Sequence, residues 1–78
     1  QIIDIDAIYV PVKRRQTLDE AKVQEIAESI AEEGQKAPIL VRPDGGRFVL
    51  VEGLHRLEAC RALGEETIVV CTVNARLR

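Results

Sequence analysis

At Gly53 the residue pattern of this chain changes abruptly: Arg47 to Val51 is rich in β-formers, and the residues that follow have helical spacing. A strand that ends in glycine and turns at once into a helix brings that helix's free N–H groups and positive dipole end to the edge of a sheet. The rest of the chain has to be arranged around this corner. With 78 residues it is too short for two domains, and a domain of that size buries only roughly 60% of the surface its unfolded chain exposes. One modest core is therefore the ceiling.

Upstream of the corner, Ile2, Ile3, Ile5, Ile8 and Val10 mark extended chain, interrupted by Asp4 and Asp6 and ended by Pro11, which reads as one strand or two short ones. Lys13-Arg14-Arg15-Gln16 is a polar basic connection, and Thr17-Leu18-Asp19-Glu20 matches a capping box with Thr17 as N-cap. The helix that follows is defined by Val23, Ile26, Ala27, Ile30 and Ala31 at three-and-four spacing, with Gly34 as its stop. Pro38 to Arg42 and Arg47 to Val51 flank Pro43-Asp44-Gly45-Gly46 and predict a hairpin. Its strands alternate poorly, which predicts cover by helices on both faces. After Gly53, Leu57, Cys60 and Leu63 line one side of a short second helix with Ala59 and Ala62 beside them, and Gly64 closes it. Ile68 to Val73 is a last β-branched strand, and residues 74–78 are a polar end. No repeat, linker or low-complexity segment interrupts the chain, so residues 1–78 are expected to form a single small α/β (α+β) domain.

Tyr9 and Phe48 are the sole aromatics, so the core has to be built from Ile, Val, Leu and Ala. Eleven basic against thirteen acidic residues leave a formal charge of −2, which offers a polyanion no general attraction. Cys60 and Cys71 lie outside zinc-ligand and CxxC spacings and sit among apolar neighbours, predicting buried reduced thiols. No run approaches the ~20 apolar residues of a membrane span and none resembles a signal peptide, so a cytoplasmic protein is expected.

In the first turn after Gly53, His55 and Arg56 place two donors where the helix dipole favours acids, a conflict that an anionic ligand relieves. Gly53 itself allows close approach of a ligand to the backbone. The plainer reading makes Gly53 a turn glycine, His55 a surface residue and Arg56 the partner of Glu52 or Glu58; the residues alone leave both open. Lys22 and Ser29, seven apart on the first helix, project on nearly the same side, either into one cleft with that corner or as the solvated margin of the helix. Arg14 or Arg15 either reaches phosphate oxygens or belongs to an exposed basic loop. Glu52 is the one carboxylate next to the corner that is a candidate for acid–base or metal work, and it equally serves to balance Arg56.

Ile26-Ala27-Glu28-Ser29-Ile30, then Gly34, Pro38-Ile39 and Val41-Arg42, and finally Val51-Glu52-Gly53-Leu54-His55-Arg56-Leu57-Glu58-Ala59, together resemble the ParB N-terminal domain, with its Gly-x-(Arg/His)-Arg motif. Leu18-Asp19, Ala21-Lys22-Val23 and the Gly-x-His-Arg motif are similar to sulfiredoxin, which shares that fold. The resemblance covers nearly the whole chain and implies a mixed sheet with a β-hairpin and two main helices. It also implies nucleotide contacts by Lys22, Ser29, His55 and Arg56, the last two and Gly53 on the phosphates, with Arg14 or Arg15 as a further contact. Sulfiredoxin's catalytic cysteine lies between the Gly and the His, where this chain has Leu54; without a thiolate that repair chemistry is not expected. Cys60 is expected to face the core. Ala37 stands where chromosomal ParB proteins commonly carry Gln, which leaves CTP and ATP both open as ligand.

The resemblance thus implies a bacterial-type, stand-alone or excised nucleotide-binding core that takes CTP or ATP with Mg²⁺ and controls a partner, self-association (a homodimer) or a DNA-partition process. No protein metal site is expected. DNA binding would follow from kinship alone, since no helix-turn-helix region is present. Slow hydrolysis of the nucleotide is compatible with this reading. Two alternatives remain: a small phosphotransfer enzyme, NTPase or nuclease that uses Glu52 or His55, and a non-catalytic interaction protein whose nucleotide site is vestigial.

Overall fold

A computed structural model describes residues 1–73; the polar end at residues 74–78 lies outside the described residues. The elements run β1 (Ile2–Asp4), a 3-10 turn (Ile5–Ala7), β2 (Ile8–Tyr9), α1 (Val12–Arg15), α2 (Glu20–Glu33), β3 (Ile39–Asp44), β4 (Arg47–Glu52), α3 (Leu54–Ala62) and β5 (Thr67–Thr72). The five strands form one mixed sheet in the order β1-β5-β3-β4-β2. β3 pairs antiparallel with β4 and parallel with β5, β1 pairs antiparallel with β5, and β2 pairs parallel with β4.

The N-terminal apolar run becomes two strands on opposite edges of the sheet, because Ile5 turns inward at the 3-10 turn and is buried. Gly45 and Gly46, at φ +54° and +92°, form the two-residue hairpin turn whose twist suits the flanking strands. Asp44 and Arg47 close that hairpin as facing residues and as an ion pair at 3.6 Å. α2 and α3 stop at Gly34 and Gly64, as their spacing predicts.

The basic connection at Lys13–Gln16 differs from the expectation in that it contains the short helix α1. Its end is tied by the Thr17 hydroxyl, which donates to the Arg14 carbonyl at 2.8 Å. Thr17 is thereby withdrawn from capping α2. Asp19 is the N-cap instead, its carboxylate accepting from the N–H groups of Ala21 (3.0 Å) and Lys22 (3.4 Å).

The core lies between one face of the sheet and α3. Ile39, Val41, Leu50, Ile68 and Val70 pack with Leu54, Leu57 and Cys60 of α3 and with Ile5, Ile8 and Val10. Ile39, Val41, Leu57 and Val70 are the most completely enclosed, each contributing about 1.5–3 kcal/mol by burial. α2 packs on α3 and has no fully buried residue. From α2 and the residues leading into it, only Ile30 and Leu18 reach the core. Leu63, expected on the buried side of α3, is 38% exposed and borders a groove shared with α2.

The expectation of helices on both faces of the hairpin is corrected. β5 alternates, with Ile68 and Val70 buried and Val69 and Cys71 exposed. The outward face also carries Ile2 and Tyr9, both exposed, and the half-buried Leu40 and Val51. Poor alternation in β3 and β4 therefore reflects apolar residues on the outward face, where Val49 is buried beside Tyr9, with no second helical layer among the described residues. Cys71, expected to be buried, is exposed, whereas Cys60 is buried as expected.

β3 starts at Ile39, opposite Val70, so the preceding residue of β5 has no strand partner on that side. The Gln35 side chain takes the place of one. Its carboxamide accepts from the Val69 N–H (3.0 Å) and donates to the Val69 and Ala37 carbonyls (2.9 Å each).

Candidate functional site at the start of α3

α3 begins directly from β4, with Gly53 as N-cap and φ at +114°. A β-carbon at this position would lie 2.7 Å from Ile39 Cγ2 and 2.8 Å from Ile39 Cβ. The absence of a side chain is thus required by contact with β3 and by the backbone angle, in addition to any close approach of a ligand. The Gly53 carbonyl accepts the Leu57 N–H at 2.9 Å, the first bond of the helix. The N–H groups of Leu54, His55 and Arg56 precede that bond, and no side chain caps them. They form the donor set that an anion at a helix start uses.

Leu54 points into the core and is buried, at the position of the sulfiredoxin cysteine in the motif. It also lines a cavity of about 500 Å³ with Ile5, Ile8, Val10 and Leu18 as its apolar floor and Asp6, Arg15, Glu58 and Arg61 around it. Of the two arginines of α1, Arg15 lines this cavity; Arg14 is exposed and its carbonyl holds Thr17.

His55 reaches across to α2. Its Nε2 accepts the Asp19 N–H at 3.0 Å, so the start of α3 and the start of α2 meet. With Nε2 as the acceptor of that bond, Nδ1 is the ring nitrogen assigned the donor proton. Lys22, one turn into α2, is exposed and borders a shallow depression with Asp19, Glu25 and Glu28. Ser29 is half-buried on the same helix, about 10 Å further along its axis. The His55 bond thus brings the α3 corner to the end of α2 that carries Lys22, whereas Ser29 stands two turns away.

Arg56 is half-buried, and among the described residues no carboxylate pairs with it. Glu58, one of its two expected partners, pairs with Arg61 at 3.6 Å. Glu52, the other, is exposed at the end of β4. Burial pushes the Cys60 thiol above its ordinary range, Glu65 pushes the same way, and the charge of Arg56 one turn before it partly offsets them. Cys60 is therefore a packed thiol rather than a nucleophile. Among the described residues no group of three His, Cys, Asp or Glu side chains is placed to hold a metal ion. No helix among them is long and apolar enough to cross a membrane.

Asp19 is the residue that sequence reasoning missed. A capping box asks for Glu or Gln three residues after the N-cap, and Asp19 is followed at that distance by Lys22. That mismatch was the available signal that the Asp19 N–H takes its acceptor from elsewhere.

The model of the ParB N-terminal domain family matches residues 1–77. A probable chromosome-partitioning protein ParB from Campylobacter jejuni is 38% identical over 69 residues, covering 87% of this chain and 25% of the relative. The chain thus spans about a quarter of that relative's length. Among solved structures, sulfiredoxin from Arabidopsis thaliana aligns with a TM-score of 0.83 and 31% identity over 96% of this chain and 86% of its own. C-terminally truncated ParB from Caulobacter crescentus, complexed with CTP-γ-S, aligns with a TM-score of 0.84 and 28% identity over 97% of this chain and 44% of its own. With the family model matched almost end to end and the mixed five-stranded sheet shared with these neighbours, the chain belongs to the ParB N-terminal domain family.

Proposed function

We propose that this domain binds a nucleoside triphosphate, CTP in the first instance, with the phosphates on the start of α3. The observation that carries this reading is the meeting of two helix starts through His55 and Asp19, with His55 and Arg56 in the first turn of α3 and Lys22, beside the acidic Glu20, in the first turn of α2. A polyanion satisfies the uncapped start of α3 and the three side chains around it, while the start of α2 is already met by the Asp19 carboxylate. Arg56, with no carboxylate partner among the described residues, supplies a bidentate clamp on a phosphate. The N–H groups of Leu54, His55 and Arg56 supply backbone donors, and Ser29 and Arg15, with Arg14 behind it, flank the ligand.

CTP is placed before ATP because the Caulobacter ParB complex holds a CTP analogue on a chain 28% identical to this one. Mg²⁺ would enter with the triphosphate and would neutralise its charge there. Glu52, exposed at the end of β4, is the carboxylate that precedes Gly53 in sequence. Sulfiredoxin-type repair is not proposed, because buried Leu54 stands at the motif position of the thiol. Within a longer chain such a domain would couple nucleotide occupancy to self-association or to a DNA-partition process.

The test is a thermal-shift panel of CTP, ATP, GTP and UTP, each with and without Mg²⁺. A ligand that binds only the folded state raises Tm, by about 2.7 kcal/mol of added stability at a hundredfold excess over Kd. CTP with Mg²⁺ is expected to give the largest rise; a panel with no shift for any nucleotide would defeat the proposal.

A further inference from the structure

His55 makes a bond that a surface ligand residue has no need to make. α2 opens on Asp19, whose carboxylate caps the N–H groups of Ala21 and Lys22. In a capping box the N-cap's own N–H is met by an acceptor three residues later. That position is Lys22, which has donors only. The acceptor comes instead from another helix, 36 residues away in sequence, as His55 Nε2 at 3.0 Å. The capping box of α2 is therefore completed by the first turn of α3. The second nitrogen of the same ring, Nδ1, makes no hydrogen bond among the described residues and is left to carry the donor proton.

We propose that His55 is a positioning residue that couples occupancy of the α3 corner to the start of α2; this rests on the nucleotide reading of that corner. Hydrogen bonds in a chain polarise one another. An anion that accepts from Nδ1–H raises the electron density at Nε2 and makes it a better acceptor for the Asp19 N–H. The Asp19–His55 bond is solvent-accessible in the free protein, so water competes for it. A ligand over the corner removes that competition. Both effects tighten the first turn of α2, which carries Lys22, and so the first ligand contact prepares the opposite wall of the site.

Two substitutions separate the roles of the two nitrogens. In His55→Gln the carboxamide oxygen reaches the position of Nε2 and accepts from Asp19, but nothing replaces Nδ1–H. In His55→Asn the shorter amide offers a donor near Nδ1 and cannot reach Asp19. The readouts are the NMR coupling across the hydrogen bond between Asp19 N and His55 Nε2, and hydrogen exchange of the Asp19 amide with and without CTP and Mg²⁺. The wild-type protein is expected to show the coupling and to exchange the Asp19 amide several-fold more slowly when CTP is bound. His55→Gln is expected to keep wild-type exchange in the free protein, bind CTP roughly tenfold more weakly, and show no further slowing. His55→Asn is expected to exchange about tenfold faster with or without CTP. Wild-type exchange in His55→Asn would overturn the cross-helix cap. CTP binding that leaves Asp19 exchange unchanged would overturn the coupling while the nucleotide reading stands, and a wild-type protein that binds no nucleotide overturns both.

Discussion

Replacing Gly53 with alanine puts a methyl group into space that β3 already occupies. The added carbon would lie 2.7 Å from Ile39 Cγ2, 2.8 Å from Ile39 Cβ and 3.2 Å from Ile39 Cα. Ile39 is 1% exposed and sits among the core strands, so it has no free volume into which to withdraw. The backbone angle adds its own term, since φ +114° lies in the region that L-residues avoid at a cost of about 1–2 kcal/mol. Overpacking a close-fitted core costs about 1–3 kcal/mol more, which brings the expected loss to about 2–5 kcal/mol. A chain of 78 residues has about 4–12 kcal/mol in total, so Tm is expected to fall by roughly 8–40 °C. Gly64→Ala is the control: φ there is +80° but nothing lies within 4 Å of the added carbon. It carries the backbone term alone, about 1–2 kcal/mol. Urea and thermal unfolding followed by circular dichroism give both losses. Equal destabilisation by the two substitutions would refute the contact with Ile39 as the reason for glycine at the corner.

Gln35→Leu strips the partner from the Val69 N–H and carbonyl, which are solvent-accessible, so water recovers part of the loss and a destabilisation of about 1 kcal/mol is expected in urea unfolding. Asp19→Ala removes the cap on Ala21 and Lys22 and should lower stability by about 0.5–2 kcal/mol, whereas Thr17→Ala, at the position expected from sequence to be the N-cap, should cost less. Cys71 is exposed, and Cys60 is buried with its thiol pushed upward. One equivalent of a thiol reagent should therefore add quickly to the native protein near neutral pH, with the second reacting only on unfolding, as read by mass spectrometry. Rapid double modification of native protein would contradict the packing of α3 on the sheet.

The hairpin, α2, α3 and the last strand were legible in the sequence because each rests on a local signal: the paired glycines at 45 and 46, the apolar stripe from Val23 to Ala31, the change of period at Gly53 and the β-branched run from Ile68. What was not legible depends on partners distant in sequence. Thr17 and Asp19 are both good N-caps, and α1 decided between them by taking the Thr17 hydroxyl. The apolar outward face of the sheet gives the same unbroken pattern as a strand covered on both sides, so Cys71 and Val69 could not be told from core residues. Gln35 acts as a strand residue 34 positions from its partner, and His55 caps a helix 36 positions away; no spacing rule covers either. Gly53 was read as room for a ligand, and Ile39 supplied a second reason that only the fold reveals.

The start of α3, through Arg56, is proposed to hold the phosphates of a nucleotide. Calorimetric titration of the wild-type protein and of Arg56→Ala with CTP and Mg²⁺ tests it most directly. Loss of one charge-assisted contact to phosphate is worth about 1.5–3 kcal/mol, so Arg56→Ala is expected to weaken binding by about 10- to 100-fold while circular dichroism stays unchanged. Equal affinity in the two folded proteins would contradict the account.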